Sequence, residues 1–553
     1  MQMNRFTHTQ LMIILAIVAY FLLMFGNGII SLTHPDEVFY TQSAKEMLAH
    51  QSWFVPYIFD RPQFEKPIFF YWLQMIAIKI FGIHPFVARF WPAFFGIMGV
   101  LVTYGLAFLL YRDKRTAFLS GLVLSTSFIY VAMSRAVLTD MVFSIWVLLA
   151  ISSFYLSYTS SRYKNTALML FSLFCSLAVL TKGLLGIIFP LGLVTAFLFY
   201  KKDFTFLKSK VILWGALLFI ILTIPWHILM AVWYKSSFTD EYFRNVHFRR
   251  IFEAEHMKSN TWYFYLLTII AGVFPWSFYL LPAGYRSVKS LREKDGCTAF
   301  LILWIVLVFM IMHMAQSKLA SYILPLFPAV AILLGRYFTQ VTEKKDDVFL
   351  QRSIIFGSYV MSSALFIAAM AALFLSRRYE SFVPDKGPVI MLMILAVFGS
   401  AVILFLNRSR HHMKTIVATA SITAIVLISA LYGHRYAEPW VSCKAISDVF
   451  NQIAPPGVKV LCSKFYLRGI RFYTDRETSV IDINGKGFFS PHPVEYLNSD
   501  DKVLAFLNRQ AVTYGILKKG DMENLSRITG DRFATVVIKE IGGKYLAKIE
   551  RLQ

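Results

Sequence analysis

The stretch QLMIILAIVAYFLLMFGNGII (residues 10–30) runs straight into Ser31-Leu32-Thr33-His34-Pro35-Asp36-Glu37. About twenty residues without a charge are enough to cross a hydrocarbon core as a helix. Arg5 precedes the stretch and no small-residue cleavage site follows it, so it reads as a retained membrane helix rather than a removed signal peptide. Asp36 and Glu37 sit at its mouth beside Pro35, and Phe64-Glu65-Lys66-Pro67 repeats the pairing of acid and proline in the same loop. Charges this near a bilayer are costly and mark functional candidates. The prolines fix φ and limit helix continuation, which pins the carboxylates beside the membrane surface. Solvated carboxylates at a positive helix end are the plain alternative. That alternative suits one acidic cluster better than two.

Working outward, the 553 residues are 57% hydrophobic and 16% charged. A soluble chain of this length has no core large enough for so much apolar surface, so lipid is the solvent. The net charge of +23 does not indicate nucleic-acid binding, because the basic residues are dispersed among short loops between apolar stretches. Some thirteen candidate spans centre near residues 20, 98, 125, 148, 172, 191, 221, 271, 306, 329, 364, 397 and 423. The stretch 68–81 is short and interrupted by Lys79, which predicts an interfacial helix. Connections at 111–115, 159–164, 200–210, 284–297, 336–352 and 407–414 hold 20 Lys and Arg. Those at 134–139, 181–183, 313–318 and 376–388 hold 6. Positive-inside logic places the first set and the N-terminus in the cytosol. Loops 31–86 and 234–261 and the C-terminal part are then outside.

Composition changes near Trp440. After Pro455-Pro456-Gly457 come short β-branched runs at 458–461, 479–483, 503–506, 512–517 and 534–538, with a helical pattern at 522–528. The expected organisation is a transmembrane domain over 1–439 and a small extracytosolic α/β domain over 440–553. Of the four cysteines, Cys175 and Cys297 suggest no metal site. Cys443 and Cys462 are open to pairing if their domain faces an oxidising compartment.

The isolated polar groups gather in the outer loops: Asp36, Glu37, Glu65 and Lys66, then Asp140 after Leu138-Thr139, and Lys182 in Thr181-Lys182-Gly183. His247 and Arg250 occur in Val246-His247-Phe248-Arg249-Arg250, and Lys318 and Tyr322 in Ser317-Lys318-Leu319-Ala320-Ser321-Tyr322. A lipid or glycan transporter would need polar or broken helices at mid-membrane. An enzyme working on a lipid-linked substrate would gather charges at one face. The sequence follows the second pattern.

These motifs in this order resemble the GT-C fold glycosyltransferases, most closely the aminoarabinose transferases of lipid A (ArnT) and their relatives, which are similar in turn to protein O-mannosyltransferases. The resemblance runs from about residue 30 to 340. It implies an α-helical integral membrane protein of the bacterial inner membrane that uses a polyprenyl-phosphate sugar, usually on undecaprenyl phosphate. The sugar would pass, with inversion, to lipid A or another envelope acceptor on the periplasmic face. The donor sugar suggested is 4-amino-4-deoxy-L-arabinose, and the alternative is O-mannosyltransferase-like transfer to a hydroxyl.

On this resemblance Asp36 is the base or the residue that orients the acceptor, with Glu37 and Asp140 beside it as catalytic candidates. Lys66, Arg250, Lys182, Lys318 and Tyr322 would hold the donor phosphate. Glu65 and His247 look like a divalent-metal site for Zn or Mg, since carboxylate and imidazole suit such ions. Val246 stands where the family places a glutamate before the histidine, and the shared motifs leave the sugar open.

Overall fold

The computed structural model of the chain describes residues 5–33, 35–249, 261–378, 385–483, 485 and 494–552; the side chains of residues 246–248, 432 and 434 also lie outside the described set. All thirteen apolar stretches fall on helices. Among the described residues nine helices are long and apolar enough to cross a membrane. Two further stretches are bent pairs, Lys114–Thr126 with Phe128–Ser134 and Phe264–Gly272 with Trp276–Arg292, broken by 65° and 108°. The remaining two, His8–Leu23 and Leu185–Lys201, are shorter, as is the predicted helix Phe69–Phe81. This is an integral membrane protein.

The chain divides into two compact units. The first comprises Met1–Asn27, Lys66–Phe70 and Arg89–Gly433. Its helices are joined by the devices that lipid-embedded bundles use, small residues and hydroxyl contacts. Gly335 packs so closely on Lys114–Thr126 that a Cβ there would lie 2.7 Å from the Ser120 backbone nitrogen. Nearby, Thr116 Oγ1 donates to Thr339 Oγ1 at 3.1 Å, and Trp276 Nε1 donates to Thr126 Oγ1 at 2.9 Å. The stretch expected as an outer loop from 234 is helical through Arg249: Val211–Phe238 passes into a π-helical segment, Thr239–Arg249, after a break at Lys235 (φ 46°).

The second unit comprises Gly28–Glu65, Tyr71–Ala88 and His434–Gln553. Its first segment holds helix Asp36–Ala49 and a hairpin of β1 (Tyr57–Ile58) and β2 (Arg61–Pro62). The hairpin turn puts Phe59 and Asp60 at φ 54° and 58°, a conformation that normally selects Asn or Gly. Buried Glu46 compensates by accepting from both turn amides, Phe59 N at 3.2 Å and Asp60 N at 2.9 Å.

The C-terminal part of this unit is a six-stranded sheet in the order β5-β4-β3-β6-β8-β7. The strands are β3 (Val460–Ser463), β4 (Thr478–Ile481), β5 (Glu495–Leu497), β6 (Val512–Lys518), β7 (Phe533–Ile541) and β8 (Lys544–Arg551). β5, β4, β3 and β6 pair in parallel, and β8 runs antiparallel between β6 and β7. The small α/β domain is present with one correction: residues 503–506, expected as a strand, lie in helix Asp500–Asn508. Two acids in its first turn favour the helix, and Val503, Phe506 and Leu507 fall at helical spacing on the core. Cys443 and Cys462 are both buried thiols with no disulfide between them.

One buried acid makes a stability prediction. Burial lifts the Asp521 carboxyl above the usual carboxylate range, and the one ion pair to its Oδ2, from Lys518 Nζ, is long at 3.7 Å. A carboxyl raised in the folded state contributes stability at low pH and loses it as pH rises through the folded value. Asp521→Asn is therefore expected to raise the melting temperature of the full chain by a few degrees near pH 7, the gap closing towards pH 4.

Candidate functional site

Two clusters hold the predicted residues, one in each unit. In the first unit, helices Thr139–Thr159 and Lys164–Lys182 are joined by a short turn and run antiparallel. The N-terminal turn of one thereby meets the C-terminal turn of the other. Asp140 sits on the positive end of its helix and Lys182 on the negative end of its own, where each charge is favoured. They form an ion pair of 2.5 Å with both side chains about nine-tenths buried. Gly183 ends the second helix at φ 87°, which explains the glycine after the lysine.

The Lys182 ammonium also lies 4.4 Å from the centroid of the Tyr322 ring and 5.5 Å from that of Phe143. Tyr322 is carried on the 3₁₀ segment Ala320–Leu326. Just before that segment, buried Lys318 donates to the Thr261 carbonyl at 3.4 Å. Asp140, Lys182 and Tyr322 are thus brought together with a cation as the centre. Lys66 belongs to the same unit, half-buried ahead of helix Phe69–Phe81.

In the second unit, Asp36 and Glu37 are the first two residues of helix Asp36–Ala49, with Pro35 preceding them. They have different tasks. Glu37 is buried and accepts from both the amide and the hydroxyl of Thr33, each at 2.9 Å, so it ties the loop to the helix entry. Asp36 is exposed, with 61% of its side-chain surface accessible. Its Oδ1 lies 3.6 Å from Arg468 Nη1, while Arg468 Nη2 lies 3.6 Å from Glu65 Oε1. The guanidinium stacks over the Phe39 ring, 4.3 Å from its centroid.

Arg468 was not singled out in the sequence. It opens helix Leu467–Thr474, far along the chain in a polar stretch with no motif. The signal available was an amphipathic pattern, Leu467 and Ile470 turned inward with Arg468 and Arg471 flanking them along one edge of the helix.

Arg250 and the side chain of His247 lie outside the described residues. Among the described residues no group of three His, Cys, Asp or Glu is placed to hold a metal. Glu65 alone represents the metal pair there, and its carboxylate has the Arg468 guanidinium beside it.

The sequence and the fold of the chain are matched by known proteins. The family model of dolichyl-phosphate-mannose-protein mannosyltransferases matches residues 9–242. The crystal structure of ArnT from Cupriavidus metallidurans bound to undecaprenyl phosphate superposes with a TM-score of 0.81, covering 98% of both chains at 18% identity. The chain has the GT-C fold of ArnT. Among curated sequences, the undecaprenyl phosphate-alpha-4-amino-4-deoxy-L-arabinose arabinosyl transferase of an Enterobacter species is 31% identical over 316 residues. That match spans 56% of this chain and 56% of the relative. The protein of the same name from Yersinia enterocolitica is 28% identical over 512 residues, 89% of this chain and 88% of the relative. The ArnT-like fold and the sequence likeness therefore agree.

Proposed function

We propose that this protein is an inverting glycosyltransferase that moves a sugar from undecaprenyl phosphate to lipid A or another envelope acceptor at the outer face of the bacterial inner membrane. The observation that carries the reading is the placement of Asp36. It is an accessible carboxylate at the mouth of the first apolar stretch, in a chain with the ArnT fold from end to end. As the glycosyl–phosphate bond breaks, the phosphate gains negative charge. Fixed cations at a water-poor membrane edge stabilise that charge, which is the role assigned to Lys66, Lys182, Lys318 and, by its motif, Arg250. Tyr322 adds a hydroxyl donor. Lysines act as point charges, whereas an arginine grips two phosphate oxygens at once. Asp36 takes the proton of a hydroxyl acceptor, or orients an acceptor phosphate that needs no base.

By its likeness to the arabinosyl transferases, the sugar proposed is 4-amino-4-deoxy-L-arabinose. The mannosyltransferase family match supports a second reading, with a hydroxyl acceptor on protein. Mass spectrometry of envelope lipids from cells with and without the gene separates the two. A lipid A species heavier by one aminopentose residue, present only with the gene, supports the first. Unchanged lipids with deglycosylated envelope proteins support the second.

The outer placement has its own test. In a cysteine-free background, Arg61→Cys and Lys502→Cys are expected to react with an impermeant thiol reagent on intact spheroplasts. Lys289→Cys, in the basic last turn of helix Trp276–Arg292, should react only after permeabilisation. Protection of either of the first two positions contradicts the orientation.

A further inference from the structure

Helix Leu467–Thr474 of the C-terminal domain is fastened to the first outer segment at several points. Arg471 Nη2 lies 2.6 Å from Asp60 Oδ2, the Tyr473 hydroxyl donates to the Leu32 carbonyl at 2.9 Å, and Asp475 at the helix end pairs with Lys45 at 3.0 Å. These contacts grip the segment before, within and after helix Asp36–Ala49. Arg468 differs from them in what it touches. Its two terminal nitrogens address two carboxylates, Asp36 and Glu65, from loci almost thirty residues apart in the chain. Its guanidinium face is fixed against Phe39, which is itself 2% exposed.

Carboxylates brought close repel unless a cation stands between them. An arginine suits that place, being permanently charged and planar, with donors directed two ways. The aromatic face beneath removes much of its rotational freedom. Only 19% of its side-chain surface is accessible, so the charge is better shielded from water than an ordinary surface arginine.

We propose that Arg468 is a positioning residue through which the C-terminal domain completes the catalytic loop, holding the Asp36 carboxylate aimed while tying it to Glu65. This rests on the transferase reading above. Under it, the soluble domain supplies part of the working centre, and its helix 467–474 sets the geometry of the carboxylate that meets the acceptor.

The test uses full-length protein in nanodiscs, turning over undecaprenyl-phosphate aminoarabinose with lipid A as acceptor. Arg468→Ala is expected to lower kcat about 10–100-fold, the scale of one charge-assisted contact, with donor KM within about twofold. Arg471→Ala removes a closer ion pair on the same helix but does not touch Asp36, so its kcat should stay near wild type. Arg468→Lys should fall between, because one ammonium cannot span both carboxylates. Added guanidinium should restore part of the Arg468→Ala rate, with sodium chloride at equal ionic strength as the blank.

Equal losses in Arg468→Ala and Arg471→Ala would reduce Arg468 to a docking contact and overturn the proposal. So would wild-type kcat in a folded Arg468→Ala protein. No turnover by wild type with either acceptor class, lipid or protein, would overturn the transferase reading and this inference with it.

Discussion

Asp36→Asn is expected to abolish sugar transfer while leaving donor binding and folding largely intact. The exchange keeps the shape of the side chain and removes only its charge. Asp36 is mostly exposed and its ion pair with Arg468 is long, at 3.6 Å, so the loss to stability should stay within about 1 kcal/mol. The loss to chemistry is of another order. A positioned carboxylate contributes roughly 10²–10⁴-fold when it handles a proton in the transition state. Glu37→Gln provides the contrast. Glu37 is buried and bonded to Thr33, so its change should act on the loop and appear as lowered stability with a smaller effect on rate. Single-turnover transfer and equilibrium binding of labelled donor separate the two outcomes. Normal transfer by Asp36→Asn would return the acidic pair to the role of helix-entry carboxylates.

The second large effect is expected at the Asp140–Lys182 pair. Both side chains are about nine-tenths buried and meet at 2.5 Å. Lys182→Met leaves Asp140 as an uncompensated buried charge, which costs roughly 3–5 kcal/mol. The double replacement Asp140→Asn with Lys182→Met removes both charges and should recover most of that stability. Thermal unfolding in detergent of wild type, Lys182→Met and the double variant measures this directly, and equal melting temperatures for wild type and Lys182→Met would show that the pair contributes nothing. Activity adds a second axis. If Lys182 meets the donor phosphate, the double variant should be folded yet transfer slowly.

The apolar stretches were legible because lipid imposes a simple rule, long runs of uncharged residues on helices, and all thirteen candidates fall on helices. Asp140 and Lys182 were each visible as isolated charges, but not as partners. Their pairing depends on two helices of nearly equal length packing antiparallel, so that residues far apart in the chain end at one level. Helix Asp500–Asn508 departs from the strand expected because Val503 and Phe506 carry strand propensity, whereas the carboxylates of Asp500 and Asp501 in the first turn favour the helix. The parallel strand β5 and the terminal β8 were passed over, the first being three residues long and the second laced with lysines. Arg468 was the least legible of all. Its role comes from contacts with Asp36 and Glu65 across some four hundred residues of sequence, and no local pattern encodes such a contact.

Transfer by purified protein in liposomes, with labelled undecaprenyl-phosphate aminoarabinose as donor, lipid A as acceptor and no nucleotide sugar present, tests the transferase activity directly. Wild-type protein is predicted to move the label to lipid A and release undecaprenyl phosphate in equal amount, while Asp36→Asn binds the donor and leaves it intact. A folded wild-type protein that leaves the donor unchanged, or that carries it across the bilayer without breaking the sugar–phosphate bond, would contradict the account.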